Sequence, residues 1–411
     1  MLNFKSLGSR YFLVIIFFIL GIASLYSPNI HLDEKESHLP TVRYFMEEPL
    51  ITAIKGEGYK SASTPLPYIM VSSLFTLMNI NADITSVRIF NTVISAITIF
   101  IFYLIIQKKS KNVYAPLLIL FFYPYYLKPT FSFFMSIYGL LFFLIFIYYF
   151  LQEGERNRLI ALTGLSFAIL SQQFYLIVVP FVLLYELIQI QKIGITKKNV
   201  GELIFSYVPF ILPLLLYFYW GGLTHPQYKS WGVELSFTNF TSVLTVLGSI
   251  LLPFTIVKLK SIELRTLILV LILSLLLVIF AFPKWVIAPT IGGITGYTFH
   301  TLEIVSRFNF IAGFGFKFLL VFLGGSGLIV LYRVSKIEKL EKIYFLLPVL
   351  ILGFSLNKLP SERHMLPLVV TAYLIIFSYF REVIIIRYWV LLQTIIGGSY
   401  FYYLMFGSSV K

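Results

Sequence analysis

The stretch PLPYIMVSSLFTLMNI, residues 65–80, decides how this chain is threaded. It is apolar enough to pass for a membrane span. It opens on Pro65-Leu-Pro67, runs for only 16 residues, and carries Ser72, Ser73, Thr76 and Asn79. A helix needs roughly 20 predominantly apolar residues to cross a bilayer core. The expectation is a helix lying along the outer face of the membrane, not through it. Everything after residue 80 takes its sidedness from that reading.

The rest of the composition fits a membrane setting. The chain has 411 residues, of which 58% are hydrophobic and 12% charged, and its mean hydropathy is +0.88. Soluble domains carry about 25% charged residues. Apolar runs of roughly 16–22 residues recur from end to end, the length that crosses a bilayer core as helix. The runs are continuous, not alternating, which argues against a β-barrel. The expected fold is all-α, a polytopic transmembrane helical bundle with interfacial helices in its first outer loop. There is no cysteine, so there is no disulfide and no thiolate chemistry.

The net charge of +14 does not point to nucleic acid. The basic residues punctuate the apolar runs, as topology signals do. With the N-terminus in the cytoplasm, six basic clusters fall on the cytoplasmic side. They lie at Lys108/Lys109/Lys111, Arg156/Arg158, Lys192/Lys197/Lys198, Lys258/Lys260/Arg265, Arg333/Lys336/Lys339/Lys342 and Arg381/Arg387. They do so only if residues 65–80 stay out of the bilayer. The first run, Tyr11 to Leu25, has no A-x-A-like cleavage site after it and reads as a retained first helix. Further spans are expected at about 89–106, 112–127, 131–151, 159–172, 174–190, 203–220, 239–257, 266–282, 310–332, 343–357, 365–380 and 388–406. That makes roughly thirteen spans. They form one transmembrane domain over 1–411, whose first outer loop, about 27–88, carries the candidate site.

This topology sorts the chemistry-bearing residues. All five histidines (His31, His38, His225, His300, His364) fall in outer loops or at their edges. So do both aspartates, Asp33 and Asp83, and Trp220, Trp231 and Trp285. The polar segment Ile30–Pro40 is the sharpest signal. Asp33 and Glu34 stand within about two turns of the outer end of the first helix, where a carboxylate can act as a general base. The plainer reading is a solvated loop. Against it, His31 and His38 bracket the acids, and Thr41–Leu50 is an amphipathic stretch able to pin the loop to the membrane. His31, Asp33, Glu34 and His38 are also possible metal ligands, but no tight ligand motif is present, so metal ranks below base catalysis.

At these residues the chain resembles a family. LDEKESHLPTVRYF, then STPLPYIMVS, then VRIFNTVISAITIFIFYLI are similar to the start of a GT-C glycosyltransferase. They look most like the dolichyl-phosphate-glucose α-1,2-glucosyltransferases, which open with Asp-Glu-x-x-His-x-Pro, a Thr-Pro-Pro-like turn and a Leu-Arg-led helix. Here the pattern is Asp33-Glu34, His38-Leu-Pro40, Thr64-Pro65-Leu-Pro67 and Arg88, with one extra residue before His38. Weaker likenesses follow. Gln172-Gln173 stands where the family has a polar pair at the outer end of a middle helix. The segment 220–232, with His225 and Trp231, stands where it has a His-containing outer loop. SERHMLPL, residues 361–368, is similar to its late Arg-His pair.

The resemblance implies a polyprenyl-phosphate sugar donor, an acceptor glycan on the outer side and inversion at the anomeric carbon, with no cofactor or metal required. It implies Asp33 as general base with Glu34 as runner-up, and His38, Gln172, Gln173, His225 and Trp231 as acceptor or sugar contacts. The leaving lipid phosphate is anionic and asks for cations. Arg363, His364, Lys358 and Arg307 are the expected phosphate or lipid contacts, with Lys284 and Lys229 as further outer-side cations. Arg suits phosphate because its planar fork meets two oxygens at once. Each has a plainer role too: arginine at a helix end snorkels to headgroups, glutamine holds neighbouring helices, and tryptophan forms the interfacial belt. Lys317 falls inside an expected span, where a charge is functional by default.

A transporter or flippase of lipid-linked saccharides is the alternative. It would show ionisable groups near the midplane and internal repeats; the chain shows no repeat and keeps nearly all its ionisable groups in loops. A glycan polymerase or ligase would put its chemistry in a long late outer loop. The partners expected are membrane lipid, a lipid-linked donor and a glycan acceptor. The site would face outside the plasma membrane of a prokaryote, the preferred reading, or the ER lumen of a eukaryote.

Overall fold

A computed structural model describes residues 17–25, 33–110, 113–229, 236–282, 302, 304–307, 309–356, 362–379 and 383–406. Among the described residues there are helices and no strand. Contacts divide the chain into two compact units. The first is Met1–Trp231 with Ile386–Lys411; the second is Gly232–Ile385.

The first unit begins with helical residues 17–25 (α1). A π-helical turn follows at Glu34–His38, and α2 continues it over Leu39–Glu47. α2 buries Leu39, Thr41, Val42 and Phe45, one face of a helix at three- and four-residue spacing. That is the amphipathic stretch expected from the sequence. After the short α3 (Leu50–Ala53) comes α4, Leu66–Leu77. Twelve residues of helix are about 18 Å long at 1.5 Å per residue, against a hydrocarbon core of about 30 Å. α4 is therefore too short to cross, and it packs against α2 with Pro67, Tyr68, Val71, Ser72 and Phe75 buried.

α5, Ile84–Gln107, starts where the Asp83 carboxylate caps it by accepting from Ser86 N at 2.7 Å. Its two sides are opposite in character. Ile89, Val93, Ile97 and Phe100 are exposed, while Arg88, Asn91, Ser95 and Thr98 are buried. Apolar groups outside and polar groups inside are the arrangement of a helix whose solvent is lipid.

The runs expected at 112–127 and 131–151 are broken differently from the sequence reading. They form α6 (Tyr114–Phe121), α7 (Pro124–Phe131) and α8 (Ser136–Phe150), with α7 and α8 bent by 113°. Pro124 supplies the first break: it has no N–H to give, and it holds Tyr123 extended at ψ 123°. The carbonyl of Phe122 at that break accepts from Gln393 Nε2 at 3.2 Å. α9 (Glu155–Ser171), α10 (Val178–Ile193), α11 (Lys197–Ser206) and α12 (Ile211–Trp220) complete the run before the second unit. Glu186 on α10 is an ionisable group buried within an expected span, which the loop-only reading of charges passed over.

The second unit holds α13 (Phe237–Lys258), α14 (Leu264–Phe280), α15 (Phe310–Ile337), α16 (Glu341–Tyr344), α17 (Leu346–Ser355) and α18 (Leu366–Tyr379). α13 and α15 touch backbone to backbone. A Cβ on Gly248 would overlap the Leu320 carbonyl, and one on Gly324 the Leu244 carbonyl. Small residues are how membrane helices approach this closely. α19, Val383–Phe406, returns to the first unit.

Among the described residues five helical stretches are long and apolar enough to cross a membrane, or six if the bent α7–α8 pair counts as one. The chain is a multi-pass membrane protein. The sequence expectation of roughly thirteen spans is larger than this count, which takes in only helices long and apolar enough to cross.

Candidate functional site

Glu34 is fully buried and gripped from two sides. Arg88, one turn into α5, donates from Nε to Glu34 Oε1 at 3.1 Å and from Nη2 to Oε2 at 2.8 Å. Its Nη1 donates to the Ser24 carbonyl at 2.9 Å. The Phe133 N–H, in the bend between α7 and α8, donates to Glu34 Oε1 at 2.6 Å. One carboxylate thus ties α1, the π-helical turn, α5 and the bend together. Two-pronged pairing of this kind is both strong and directional.

The polar face of α5 holds the bend. Asn91 Nδ2 donates to the Ser132 carbonyl at 2.8 Å and also to the Pro129 carbonyl. Thr92 Oγ1 donates to the Thr130 carbonyl at 3.2 Å, and Tyr126 OH to the Ser95 carbonyl at 2.7 Å. Buried backbone that leaves regular helical pairing needs such partners.

Asp33 precedes Glu34 at the start of the π turn and is half-buried. Adjacent residues on a helical turn point in different directions, so Asp33 does not share the direction that Arg88 fixes for Glu34. Short π-helical insertions are frequent at functional sites. At the other end of the turn, His38 Nδ1 shares a 2.7 Å hydrogen bond with Tyr68 OH on α4. The His38 ring meets Phe133 and Phe134 edge-on, with centroids 6.0 and 5.5 Å away. Behind Phe134 stands Lys128, 4% exposed, its Nζ 4.9 Å from the ring centroid.

The other expected site residues fall into distinct places. Gln173 Nε2 donates to the Ala62 carbonyl at 3.0 Å, and Thr64 Oγ1 donates to the Ile169 carbonyl at 2.9 Å, so the loop before α4 is laced to the end of α9. Gln172 is buried, with its amide oxygen over Gly139 beside Tyr175. His225 is also buried. It stacks on Tyr59 with ring centroids 4.7 Å apart and meets Trp220 edge-on at 5.6 Å, while Trp220 Nε1 donates to the Ile54 carbonyl at 2.9 Å. In this structure His225 clamps two loops together.

Arg307, exposed, and His364, half-buried, lie in the second unit, while Asp33 and Glu34 lie in the first. Arg363 lies in the 3₁₀ turn Glu362–Met365 of the second unit. Lys358, Trp231, Lys284 and His31 lie outside the described residues. Among the described residues no three of His, Cys, Asp and Glu converge as metal ligands. Lys317 rests its Nζ 4.1 Å from the Phe282 ring centroid.

Burial moves the His225 pKa below its ordinary value of 6.5, and a hydrogen bond to the Lys55 backbone pulls weakly the other way. The folded chain therefore binds that proton less readily than the unfolded chain. The stability this contributes is full above about 6.5 and is lost as pH falls below it. Protease cutting of the 50–60 loop should speed up from neutral to mildly acid pH in the native protein. In His225→Phe that acceleration should shrink. Equal acceleration in both would remove His225 as the cause.

No family model matches the chain, and no curated protein matches it. Among solved structures, the crystal structure of ArnT from Cupriavidus metallidurans in the apo state is similar over 96% of this chain and 77% of that chain. The sequence identity is 9% and the TM-score 0.42.

Proposed function

We propose that the chain is a GT-C-type glycosyltransferase that moves a sugar from a polyprenyl-phosphate donor to an acceptor glycan on the outer or lumenal membrane face, with inversion. The observation that carries this reading is convergence. The three segments that resemble the family's opening motifs are far apart in sequence, yet Glu34 of the first forks with Arg88 of the third at 2.8 Å. His38 of the first bonds Tyr68, just after the Thr64–Pro67 turn, at 2.7 Å.

In the proposed mechanism Asp33 is the general base. It takes the proton of the acceptor hydroxyl as that oxygen attacks the anomeric carbon from the face opposite the phosphate. Glu34 is a positioning residue, because its oxygens are already occupied by Arg88 and Phe133 N–H. The donor's lipid tail has a matching surface: an apolar cavity of about 600 Å³ between α1, α5 and α6. It reaches Leu25 and Thr92, next in sequence to Ser24 and one turn from Arg88.

The test is transfer of radiolabelled sugar from a panel of polyprenyl-phosphate hexoses by the purified protein. Transfer from at least one donor, with released polyprenyl phosphate in equal amount, is the expected result. No transfer with any donor, alongside movement of lipid-linked sugar across vesicles, would favour the transporter instead. Arg363 is proposed to hold donor phosphate. Arg363→Ala should raise the apparent donor KM with acceptor KM unchanged. Arg363→Lys should restore part of it, since a point charge replaces a fork; an unchanged donor KM in the alanine variant removes this role.

A further inference from the structure

Three uncharged polar atoms of the first unit lie buried with no hydrogen-bond partner among the described residues: Ser136 Oγ, Gln172 Oε1 and Tyr175 OH. Ser136 is 5%, Gln172 6% and Tyr175 0% exposed. Two of them meet over one glycine. A Cβ on Gly139 would lie 2.8 Å from Tyr175 Cε2, 3.2 Å from Gln172 Oε1 and 3.5 Å from Tyr175 OH. Only glycine leaves those side chains where they are. Ser136 opens α8 three residues before Gly139, on the same face of the helix. Phe143, one turn beyond Gly139 on that face, stands 5.1 Å from the Tyr175 ring, centroid to centroid.

A buried polar group without a partner loses its hydration and gains nothing in return. Native structures leave few such groups. Here three come together from α8 and from the 3₁₀ turn that follows α9. Their chemistry defines what would complete them. The two hydroxyls donate or accept, the amide oxygen accepts, and none carries a charge. A ring of hydroxyls satisfies all three, and aromatic walls with a few placed polar groups are the usual lining of a small-molecule site. A carboxylate or an ammonium would be buried without a counter-charge from these groups.

The surroundings place this set beside the acid pair. α8 starts directly after the bend whose Phe133 N–H holds Glu34 and whose Phe133 and Phe134 rings meet His38. The loop before α4 lies against the same end of α9, held by the Gln173–Ala62 and Thr64–Ile169 hydrogen bonds. A ligand enters when those two bonds let go.

We infer that Ser136, Gln172 and Tyr175 form a hydroxyl-binding subsite for an uncharged sugar ring, with Gly139 as the gap that admits it. This rests on the glycosyl-transfer reading above and names its substrate class: a neutral sugar, not a uronic acid or an amino sugar. The ring belongs to the donor or to the acceptor, and the kinetics separate the two.

The experiment compares the native protein with Tyr175→Phe, Gly139→Ala and the control Tyr149→Phe near the far end of α8, all purified in detergent. It reads the unfolding temperature, the donor and acceptor KM of sugar transfer, and binding of methyl glycosides by saturation-transfer NMR. The glycosides are glucoside, mannoside, galactoside and the charged glucuronide. The native protein should bind at least one neutral glycoside and not the glucuronide. Tyr175→Phe should lose roughly tenfold in that affinity, or raise one KM as much, the worth of about one hydrogen bond. Its unfolding temperature should be no lower than native, because the hydroxyl has no partner in the folded chain. Gly139→Ala, which pushes Tyr175 aside, should lose at least as much, and Tyr149→Phe should match native. A rise confined to the acceptor KM assigns the ring to the acceptor, and one confined to the donor KM assigns it to the donor. Where free glycosides bind too weakly to detect, the KM values alone decide. Native-like binding and both KM values native-like in a folded Tyr175→Phe protein overturn the inference, while transfer by the native protein leaves the enzyme reading standing. A lowered unfolding temperature in that variant, with binding and KM unchanged, shows that the hydroxyl is held within the protein and overturns it too. Glucuronide binding as tight as that of the neutral glycosides overturns the substrate class. Glycoside binding that Tyr175→Phe weakens, with no transfer by the native protein, keeps the subsite and overturns the enzyme reading. A native protein that neither binds a glycoside nor transfers sugar overturns both.

Discussion

Arg88→Ala should be the most destabilising single change in the first unit. It strips the fork from a carboxylate that has no exposed surface and removes its counter-charge. Breaking a buried pair by removing one partner typically costs about 3–5 kcal/mol. The loss is structural as well as electrostatic, because Arg88 also holds the Ser24 carbonyl and Glu34 holds the Phe133 N–H. Thermal unfolding in detergent should show a large drop for Arg88→Ala. Arg88→Lys should recover only part, since an ammonium cannot fork to both oxygens and reach Ser24 as well. The double change Glu34→Leu with Arg88→Met should be markedly more stable than Arg88→Ala, because it removes both charges together. If Arg88→Ala unfolds at the native temperature, the pair does not hold this corner of the fold.

Much of this was legible beforehand, and particular residues show why. Pro65-Leu-Pro67 and the shortness of the run after it mark α4 as too short to span. Thr41–Leu50 announces its buried face through its periodicity. The acid pair stands out in the letters as a candidate, but which of the two is buried in an ion pair does not. Nothing in the letters says which of Asp33 and Glu34 turns inward, because that depends on a partner 54 residues away. The signal that could have found that partner is the set Arg88, Asn91, Ser95 and Thr98, a polar stripe at helical spacing inside an apolar span.

Lys128 escaped notice for a different reason. Read as one continuous span, 112–127 ends just before it and makes it a loop residue. The break at Phe122–Tyr123 and the 113° bend after α7 fold it into the interior instead. His225 was read as an outer-loop contact for sugar. Its ring is covered by Tyr59 and Trp220, and burial of that kind comes from tertiary packing that loop composition does not encode.

The central claim is that Asp33 takes the acceptor proton. It stands half-buried at the start of the π turn, while its neighbour is held by Arg88 and the Phe133 N–H. Asp33→Asn keeps the shape of the side chain and removes its capacity to accept a proton. A positioned general base contributes typically about 10²–10⁴-fold in rate. The most direct measurement is sugar transfer by purified Asp33→Asn beside the native protein, with thermal unfolding and decaprenyl phosphate binding as controls. The account predicts a loss of kcat in that range with unfolding temperature and lipid-phosphate binding unchanged. Near-native turnover by a folded Asp33→Asn protein would contradict it.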